Sequence, residues 1–390
     1  MSPYLEAGLA LVAVPVLLFA YAYVGYPLIL RLLGPFRPAP RRWGDPPEWP
    51  TITITVPVYN EERSIRGLIE SLLALDYPAD RRQILIVSDA STDGTDGIVR
   101  EYADRGVELL RVPLRGGKTA AENAAHPHLR GSIVVNTDAT IRILPASLKP
   151  LIRSFQDPTV GVASGRDVSV GDVTREANLG ESGYVGYEMW VRSLETRLGS
   201  IVGASGCFYA IRRELHETLF PAALSRDFAA ALIARERGYR AVSVDEAICL
   251  VPRTVSLAAE YRRKVRTMAR GLETLFYKAR LMNPFRYGGF ALMLISHKLC
   301  RWLVPLTVPG ALVGLLLLSA ESRLAAAALA AVAAGALLAM LGILWPRGRP
   351  PRPLAVLAFA LVANLAGIQA WLKALRGERN PIWEPTRRPA

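Results

Sequence analysis

The sequence predicts an α/β domain with a mainly parallel sheet, held between one N-terminal transmembrane helix and a C-terminal group of transmembrane helices. Two observations carry this. Hydrophobic residues make up 51% of the chain, and the excess is concentrated near its two ends, the pattern of a chain partly solvated by lipid. Between those ends, β-branched runs of strand length alternate with stretches of helical spacing, which implies βαβ units with helices on both faces of a sheet.

Leu9 to Leu33 is an apolar run long enough to span a bilayer. No basic residue precedes it, whereas Arg31, Arg37, Arg41 and Arg42 fall at or after its end. That distribution predicts a retained span, with the N-terminus outside and residue 40 onward in the cytoplasm. Residues 1–34 are thus expected to be transmembrane and 35–50, rich in Pro and Arg, a linker. A globular domain is expected over 51–282. Its strands are Ile52–Val56, Gln83–Ser88, Val107–Val112 and Ser132–Asn136, and its helices Glu61–Leu75, Thr92–Arg105 and Lys118–Ala125. Over 283–302 apolar residues mix with His297, Lys298 and Arg301, which predicts an amphipathic helix in the membrane interface. Three span candidates, Leu303–Ala320, Leu324–Trp345 and Leu354–Leu372, occupy 303–375, and 376–390 is a basic tail. Charge raises a conflict here. Three spans after a cytoplasmic domain put the C-terminus outside, yet the tail carries Lys373, Arg376, Arg379, Arg387 and Arg388, and the preceding loop Arg347, Arg349 and Arg352. Both ends of the last span are cytoplasmic only if one segment is re-entrant.

The formal net charge is +13. Basic flanks of membrane spans account for much of it, and an anionic substrate fits the rest. No helix-turn-helix, zinc or RNA-binding pattern accompanies the charge, so nucleic acid is not an expected partner. Cys207, Cys249 and Cys300 are odd in number and far apart, which argues against a disulfide framework or a zinc knuckle. His126 and His128 flank Pro127 in an expected loop.

Three strand ends carry polar clusters: Val56-Pro-Val-Tyr-Asn-Glu61, Ser88-Asp-Ala-Ser-Thr-Asp-Gly-Thr95 and Asn136-Thr-Asp-Ala-Thr140. In open α/β sheets ligands sit at the C-terminal ends of the strands. Asn60, Glu61 and Asp89 are placed to meet a base and ribose, although helix capping by the same residues is the plainer use. Asp138 is placed to hold a divalent cation on a diphosphate. Arg115-Gly-Gly-Lys-Thr119 resembles a phosphate loop but has Val112 where the first glycine belongs, so an ATPase is not expected. Lys118 still offers a point charge to a phosphate. Asp227, after Ser225 and Arg226, is a candidate general base or a helix cap. Arg263, Arg266 and Arg270 on one basic helix are a candidate clamp for a leaving diphosphate.

In this order the motifs resemble those of the family-2 glycosyltransferases, inverting enzymes of the GT-A (Rossmann-like) fold that include hyaluronan and poly-N-acetylglucosamine synthases. The resemblance covers about residues 50–310. It implies that Pro57, Tyr59, Asn60, Glu61, Asp89, Lys118, Asp138 and Arg263 bind a nucleotide sugar. It implies that Ser205, Gly206 and Cys207 form the acceptor side, and that Asp227 is the base, with Arg266 and Arg270 assisting. Asp138 would hold Mg²⁺ or Mn²⁺. Three departures stand out: Thr140 replaces the second acid of Asp-x-Asp, Arg226 replaces the Glu of Glu-Asp, and Arg263-Lys-Val-Arg-Thr267 lacks the Gln and Trp of Gln-x-x-Arg-Trp. The expected protein is a multi-pass enzyme of the cell (inner or plasma) membrane with a cytoplasmic catalytic domain. It would transfer a sugar from a nucleotide-diphosphate donor, expected to be a UDP-sugar, to a lipid or growing glycan in envelope polysaccharide or glycolipid synthesis, with membrane lipid as a further partner. The alternative is a catalytically inactive subunit for binding or assembly.

Overall fold

The computed structural model describes residues 3–38, 43–170, 176–252, 256–346 and 350–378. Arg41, Arg42, Arg347, Arg349, Arg379, Arg387 and Arg388, and with them most of the expected tail, lie outside the described residues. The central domain is built on one eight-stranded sheet of order β3-β2-β1-β4-β7-β6-β8-β5. Its strands are β1 Ile52–Val58, β2 Arg82–Ser88, β3 Val107–Arg111, β4 Ile133–Thr137, β5 Arg142–Ile143, β6 Val160–Val170, β7 Phe208–Arg212 and β8 Arg240–Pro252. The first four run parallel, with Ile54 of β1 opposite Ile84 of β2 and Val135 of β4. β7 runs antiparallel to both β4 and β6, and β5 antiparallel to β8.

The parallel half follows the expected strands, and both faces are covered. Ile54, Val56, Ile86 and Val135 pack against Leu68, Ile69 and Leu72 on one side. Leu85, Val87 and Val134 meet Ala121, Tyr209 and Ile233 on the other. The first two helices start later than spacing predicts, and the third starts at Lys118 as expected. The one after β1 is Ile65–Leu73 (α2), because Ser64 and Ile65 both donate to the Glu61 carbonyl in a turn. The one after β2 is Thr95–Arg100 (α3). Lys118–Ala124 (α4) follows β3. The later strands lack a clean alternation of polar and apolar residues. Gly161 and Gly165 interrupt β6, where a Cβ would lie 2.7 Å from Leu215 and Tyr239 and 2.5 Å from Phe208 respectively.

Among the described residues, four helices are long and apolar enough to cross a membrane: Tyr4–Phe36 (α1), Gly289–Ser319, Arg323–Ile343 and Arg352–Leu375. Three helices of the central domain precede the last three, Glu176–Leu198 (α5), Arg226–Glu236 (α6) and Leu257–Tyr277 (α7), so the apolar ones become α8, α9 and α10 in that order. The boundary expected at residue 302 does not interrupt α8, which runs on from Gly289 through the segment expected to lie in the interface. α1 and α8 are antiparallel. Gly8 sits against Leu318 and Gly314, and Tyr21 Oη is 2.7 Å from Ser296 Oγ; small residues permit this close approach. Each helix carries a π-helical turn at that level, Tyr21–Gly25 and Ile295–Cys300.

The two helices are fastened to α5 by buried polar groups. Tyr26 donates to Glu195 at 2.5 Å, and His297 lies between Glu195 and Glu188 at 2.7 and 2.9 Å. Arg301 donates to Glu188 at 3.0 Å and to the Ala22 carbonyl at 3.3 Å. α10 follows a different course from α8. It lies lengthwise along α7, with Phe359 under Lys264 (4.8 Å), Gly367 against Met268 and Trp371 beside Phe276 (5.9 Å).

One packing constraint at the entry to β4 is unusually tight. A Cβ on Gly131 would lie 2.3 Å from the backbone of Ile52 and Thr53. Gly131→Ala should destabilise the domain by about 2–3 kcal/mol, read as a lower thermal unfolding midpoint in detergent; an unchanged midpoint would show that the crossing relaxes freely.

Candidate active site

The loops after β1 and β2 are stitched together by the residues expected to meet a nucleotide. Asn60 accepts from the Thr92 amide at 2.8 Å, and the Glu61 amide donates to Thr95 Oγ1 at 2.8 Å. Ser64 donates to the Glu61 carboxylate at 2.5 Å. Asn60 and Ala90 both hold left-handed backbone, with φ of 53° and 58°, a conformation that costs energy in a residue with a Cβ and is retained where surroundings enforce it. The polar groups of Asn60 and Glu61 therefore serve the shape of the loop. Pro57 is buried within β1. Tyr59 presents its ring to the Arg115 guanidinium at 3.7 Å, a flat cation–π wall beside the strand ends.

Asp89 is 2% exposed. Its two carboxylate oxygens accept from the Gly116 and Gly117 amides, each at 2.8 Å. These charge-assisted bonds fix the turn in which Gly117 adopts φ 88°, open to glycine alone at low cost. That turn aims Lys118 across the strand ends. Lys118 Nζ donates to Asp138 Oδ1 at 2.6 Å and to the Gly206 carbonyl at 3.1 Å. Burial would lower its pKa, but the carboxylates of Asp138, Glu122 and Asp227 prevail and raise it, so the ammonium is permanent.

Asp227 caps the picture from α6. Ser225 donates to its Oδ1, and its Oδ2 rests on Gly206, where a Cβ would come within 2.3 Å. The acceptor-side segment is braced beneath it: Ser205 donates to Asp167 at 2.6 Å, and the Cys207 amide donates to Ser205 Oγ at 3.1 Å. Lys118, Asp138, Ser205, Gly206, Cys207, Asp227, Arg263, Arg266 and Arg270 line one cavity of about 530 Å³. A cavity of about 930 Å³ lies elsewhere, bounded by Arg31, Trp43 and Trp190, and no motif residue lines it.

Two clamp residues have other work. Arg270 donates to the carbonyls of Ala222, Ala223 and Leu224 at 3.2, 3.1 and 2.6 Å, so it holds the loop in front of Asp227. Arg263 makes a two-pronged pair with buried Glu260 at 2.8 and 2.9 Å. Both guanidinium groups are thus engaged by protein acceptors while still lining the cavity. Arg226 is buried and donates to Asn123 at 2.5 Å, with Glu122 at 3.9 Å and His126 at 3.0 Å. Glu122, wholly buried and raised in pKa by desolvation, was not singled out by the sequence; its place three residues before the chain reaches Ala125 on α4 gave only a helical position. Asp167, Arg192, Lys298 and Arg301 also line the cavity and come from segments without a recognisable motif.

The donor set at the end of β4 suits a hard divalent cation. The Asp138 carboxylate and Thr140 line the same cavity, and a metal ion would share Asp138 with the Lys118 ammonium, which donates to it at 2.6 Å. No group of three or more His, Cys, Asp or Glu gathers as a metal site among the described residues, so substrate oxygens and water would complete the shell, the usual arrangement for magnesium.

Burial, aided by Arg226, lowers the pKa of His126 from 6.5 to about 4 and that of His216 well below its usual value. A depressed histidine stabilises the fold fully above pH 6.5, and that contribution is lost as pH falls towards about 4, because only the unfolded chain takes up the proton. Thermal unfolding should therefore shift downward over that window, and less so in His126→Gln; parallel curves for the two proteins would refute the assignment.

Comparison with known proteins agrees with this geometry. Residues 53–220 match the family described as Glycosyl transferase family 2. An N-acetylglucosaminyltransferase of Mesorhizobium japonicum is 25% identical over 57% of this chain and 57% of its own. A beta-monoglucosyldiacylglycerol synthase of a Nostoc species is 29% identical over 42% of this chain and 36% of its own. The chain thus spans between about a third and just over half of these relatives' lengths. A mannosyltransferase of Pyrobaculum calidifontis, solved in complex with GDP-Man and Mn²⁺, superposes with a TM-score of 0.70 at 27% identity, over 95% of this chain and 100% of its own. Residues 53–220 are a glycosyl transferase family 2 domain of GT-A fold, carried between long apolar helices.

Proposed function

We propose that the chain is an inverting membrane glycosyltransferase that moves a sugar from a nucleoside-diphosphate donor to an acceptor hydroxyl. The observation that carries this is the convergence of Lys118, Asp138 and Asp227 on one cavity at the ends of the parallel strands. In this mechanism Asp227, its carboxylate aligned by Ser225, takes the proton of the acceptor hydroxyl. The acceptor oxygen attacks the anomeric carbon. The bond from that carbon to the diphosphate breaks, and its electron pair leaves with the nucleoside diphosphate. One displacement inverts the anomeric centre. Lys118 neutralises the departing charge, and Arg266, on the cavity wall, adds to it. Asp138 and Thr140 would hold Mg²⁺ or Mn²⁺, which supplies Lewis-acid stabilisation of the diphosphate. A UDP-sugar is the expected donor, and the likeness to the mannosyltransferase complex adds GDP-sugars to the same test.

The catalytic domain is placed in the cytoplasm, with α1, α8 and α9 crossing the bilayer. α10 rests along α7, a helix carrying Arg262, Arg263, Lys264 and Arg266, and so lies at the membrane surface. Both of its basic flanks, at Arg352 and at Lys373 and Arg376, then stay on the cytoplasmic side, as the positive-inside rule requires. The inactive-subunit reading loses one of its two supports, since Arg226 is matched by Glu122 and Asn123.

The test uses protein in lipid nanodiscs with Mn²⁺ and a panel of UDP- and GDP-sugars. Asp227→Asn should lower turnover by about 10²–10⁴-fold while donor binding persists. Wild-type turnover in that variant would remove Asp227 as base, and a wild type that neither binds nor turns over any donor would favour the inactive subunit.

A further inference from the structure

The cavity of about 930 Å³ lies where the domain-side end of α1 meets the sheet domain. Resting on α1 crossing the bilayer and not on the transferase chemistry, we propose that this cavity holds the headgroup of a zwitterionic aminophospholipid, with the phosphate on Arg31 and Arg197 and the ammonium on Glu246. Its position follows from two helices. Tyr26 and Leu30 of α1 pack with Val191 and Leu194 of α5. Arg31 follows Leu30, Arg197 comes one turn after Leu194, and both line the cavity. Trp190, Ser193, Leu194 and Arg197 form one stripe of α5. Glu188 and Glu195 fall on the opposite side of that helix, where Arg301, His297 and Tyr26 engage them. The acids that fasten the membrane helices are thus turned away from this cavity. Leu28, Ile29, Leu32 and Leu33 are exposed around Arg31, so hydrocarbon borders the rim. Trp43 and Trp190 stand at the same cavity, and indole rings favour the headgroup level of a bilayer.

The charges specify the headgroup. Two of the arginines at the cavity are already matched, Arg153 by Asp45 at 2.6 Å and Arg240 by Asp157 at 2.6 Å. Arg31 and Arg197 have neither a hydrogen bond nor an ion pair among the described residues. On the wall supplied by β8, Asp245 answers the charge of Arg166, whereas Glu246 has no ion pair among the described residues. Ser243 Oγ, on the same wall, is buried without a hydrogen-bond partner among them. Unanswered cations and an unanswered acid therefore share one cavity. A simple anion would meet Glu246, and a simple cation would meet the guanidinium groups. A headgroup that carries a phosphodiester and a primary ammonium answers both. The planar guanidinium donors suit phosphate oxygens, Ser243 can donate to the same oxygens, and the ammonium donates to Glu246. The acyl chains would then leave along the exposed leucines of α1.

The test strips lipid from the full chain in detergent and follows rebinding by native mass spectrometry. The probes are dioleoylphosphatidylethanolamine, dioleoylphosphatidylglycerol and glycerophosphoethanolamine, which has the headgroup without chains. Phosphatidylethanolamine should bind about tenfold more tightly than phosphatidylglycerol, and the chainless headgroup far more weakly than either. Arg31→Gln combined with Arg197→Gln should weaken both lipids about tenfold or more. Glu246→Gln should weaken phosphatidylethanolamine alone and abolish the preference. All these side chains are exposed, so the variants should keep the wild-type unfolding midpoint in the absence of lipid. Glu246→Gln decides the matter should the double variant fail to fold. Equal binding of the two lipids to the wild type overturns the proposal, as does a preference that survives Glu246→Gln. Binding of the chainless headgroup as tightly as the lipid also overturns it, by assigning the cavity to a soluble phosphate compound. A chain that stays in solution without detergent would instead overturn the spanning reading of α1.

Discussion

The relation between the catalytic domain and its membrane helices depends on one buried carboxylate, Glu188. Burial alone would raise its pKa, but His297, Lys298 and Arg192 hold it well below the usual range. It collects contacts from α5 itself and from α8, while Tyr26 of α1 joins through Glu195. Such a cluster is stable only as a set, because removing one charge strands the others in a medium that solvates them poorly. It therefore specifies a single docking of α1 and α8 on the sheet domain, which apolar packing between smooth helices would leave less sharply defined. The cavity walls, drawn from the domain on one side and from α8 and α10 on the other, inherit their shape from this docking.

The parallel half of the sheet was legible because its strands are continuous β-branched runs that end in polar clusters, and β1 to β4 fall where spacing predicts to within two residues. The three loops at those strand ends were legible as a site for the same reason. What each side chain does there was less so. Asp89, Asn60, Arg263 and Arg270 have the residue types a ligand would want, yet the same types satisfy backbone amides, carbonyls and a buried acid, and only the fold shows which partner is within reach. The second half of the sheet, from β5 to β8, was hidden by glycines and half-buried polar residues. Lys298 and Arg301 read as interface charges in a one-dimensional pattern, whereas in the fold both bond to Glu188, Lys298 half-buried and Arg301 buried.

The departure at Arg226 also takes on sense in three dimensions. An Arg where the family resemblance leads one to expect a Glu reverses a charge next to Asp227. Glu122 and Asn123, one turn along from Lys118, answer that reversal from a different helix.

The paired π-helical turns bear on how such a chain can change in length. Each π turn accommodates one residue more than a regular α-helix of the same rise, and those at Tyr21–Gly25 and Ile295–Cys300 face one another across the α1–α8 contact. Losing that residue would let the turn relax to regular α-helix, so the flanking residues keep their facing: Gly8 and Gly314 stay in contact, and Tyr26 and Arg301 keep their carboxylates. A one-residue deletion at either turn is therefore expected to be absorbed where it falls, with no matching change needed in the other helix.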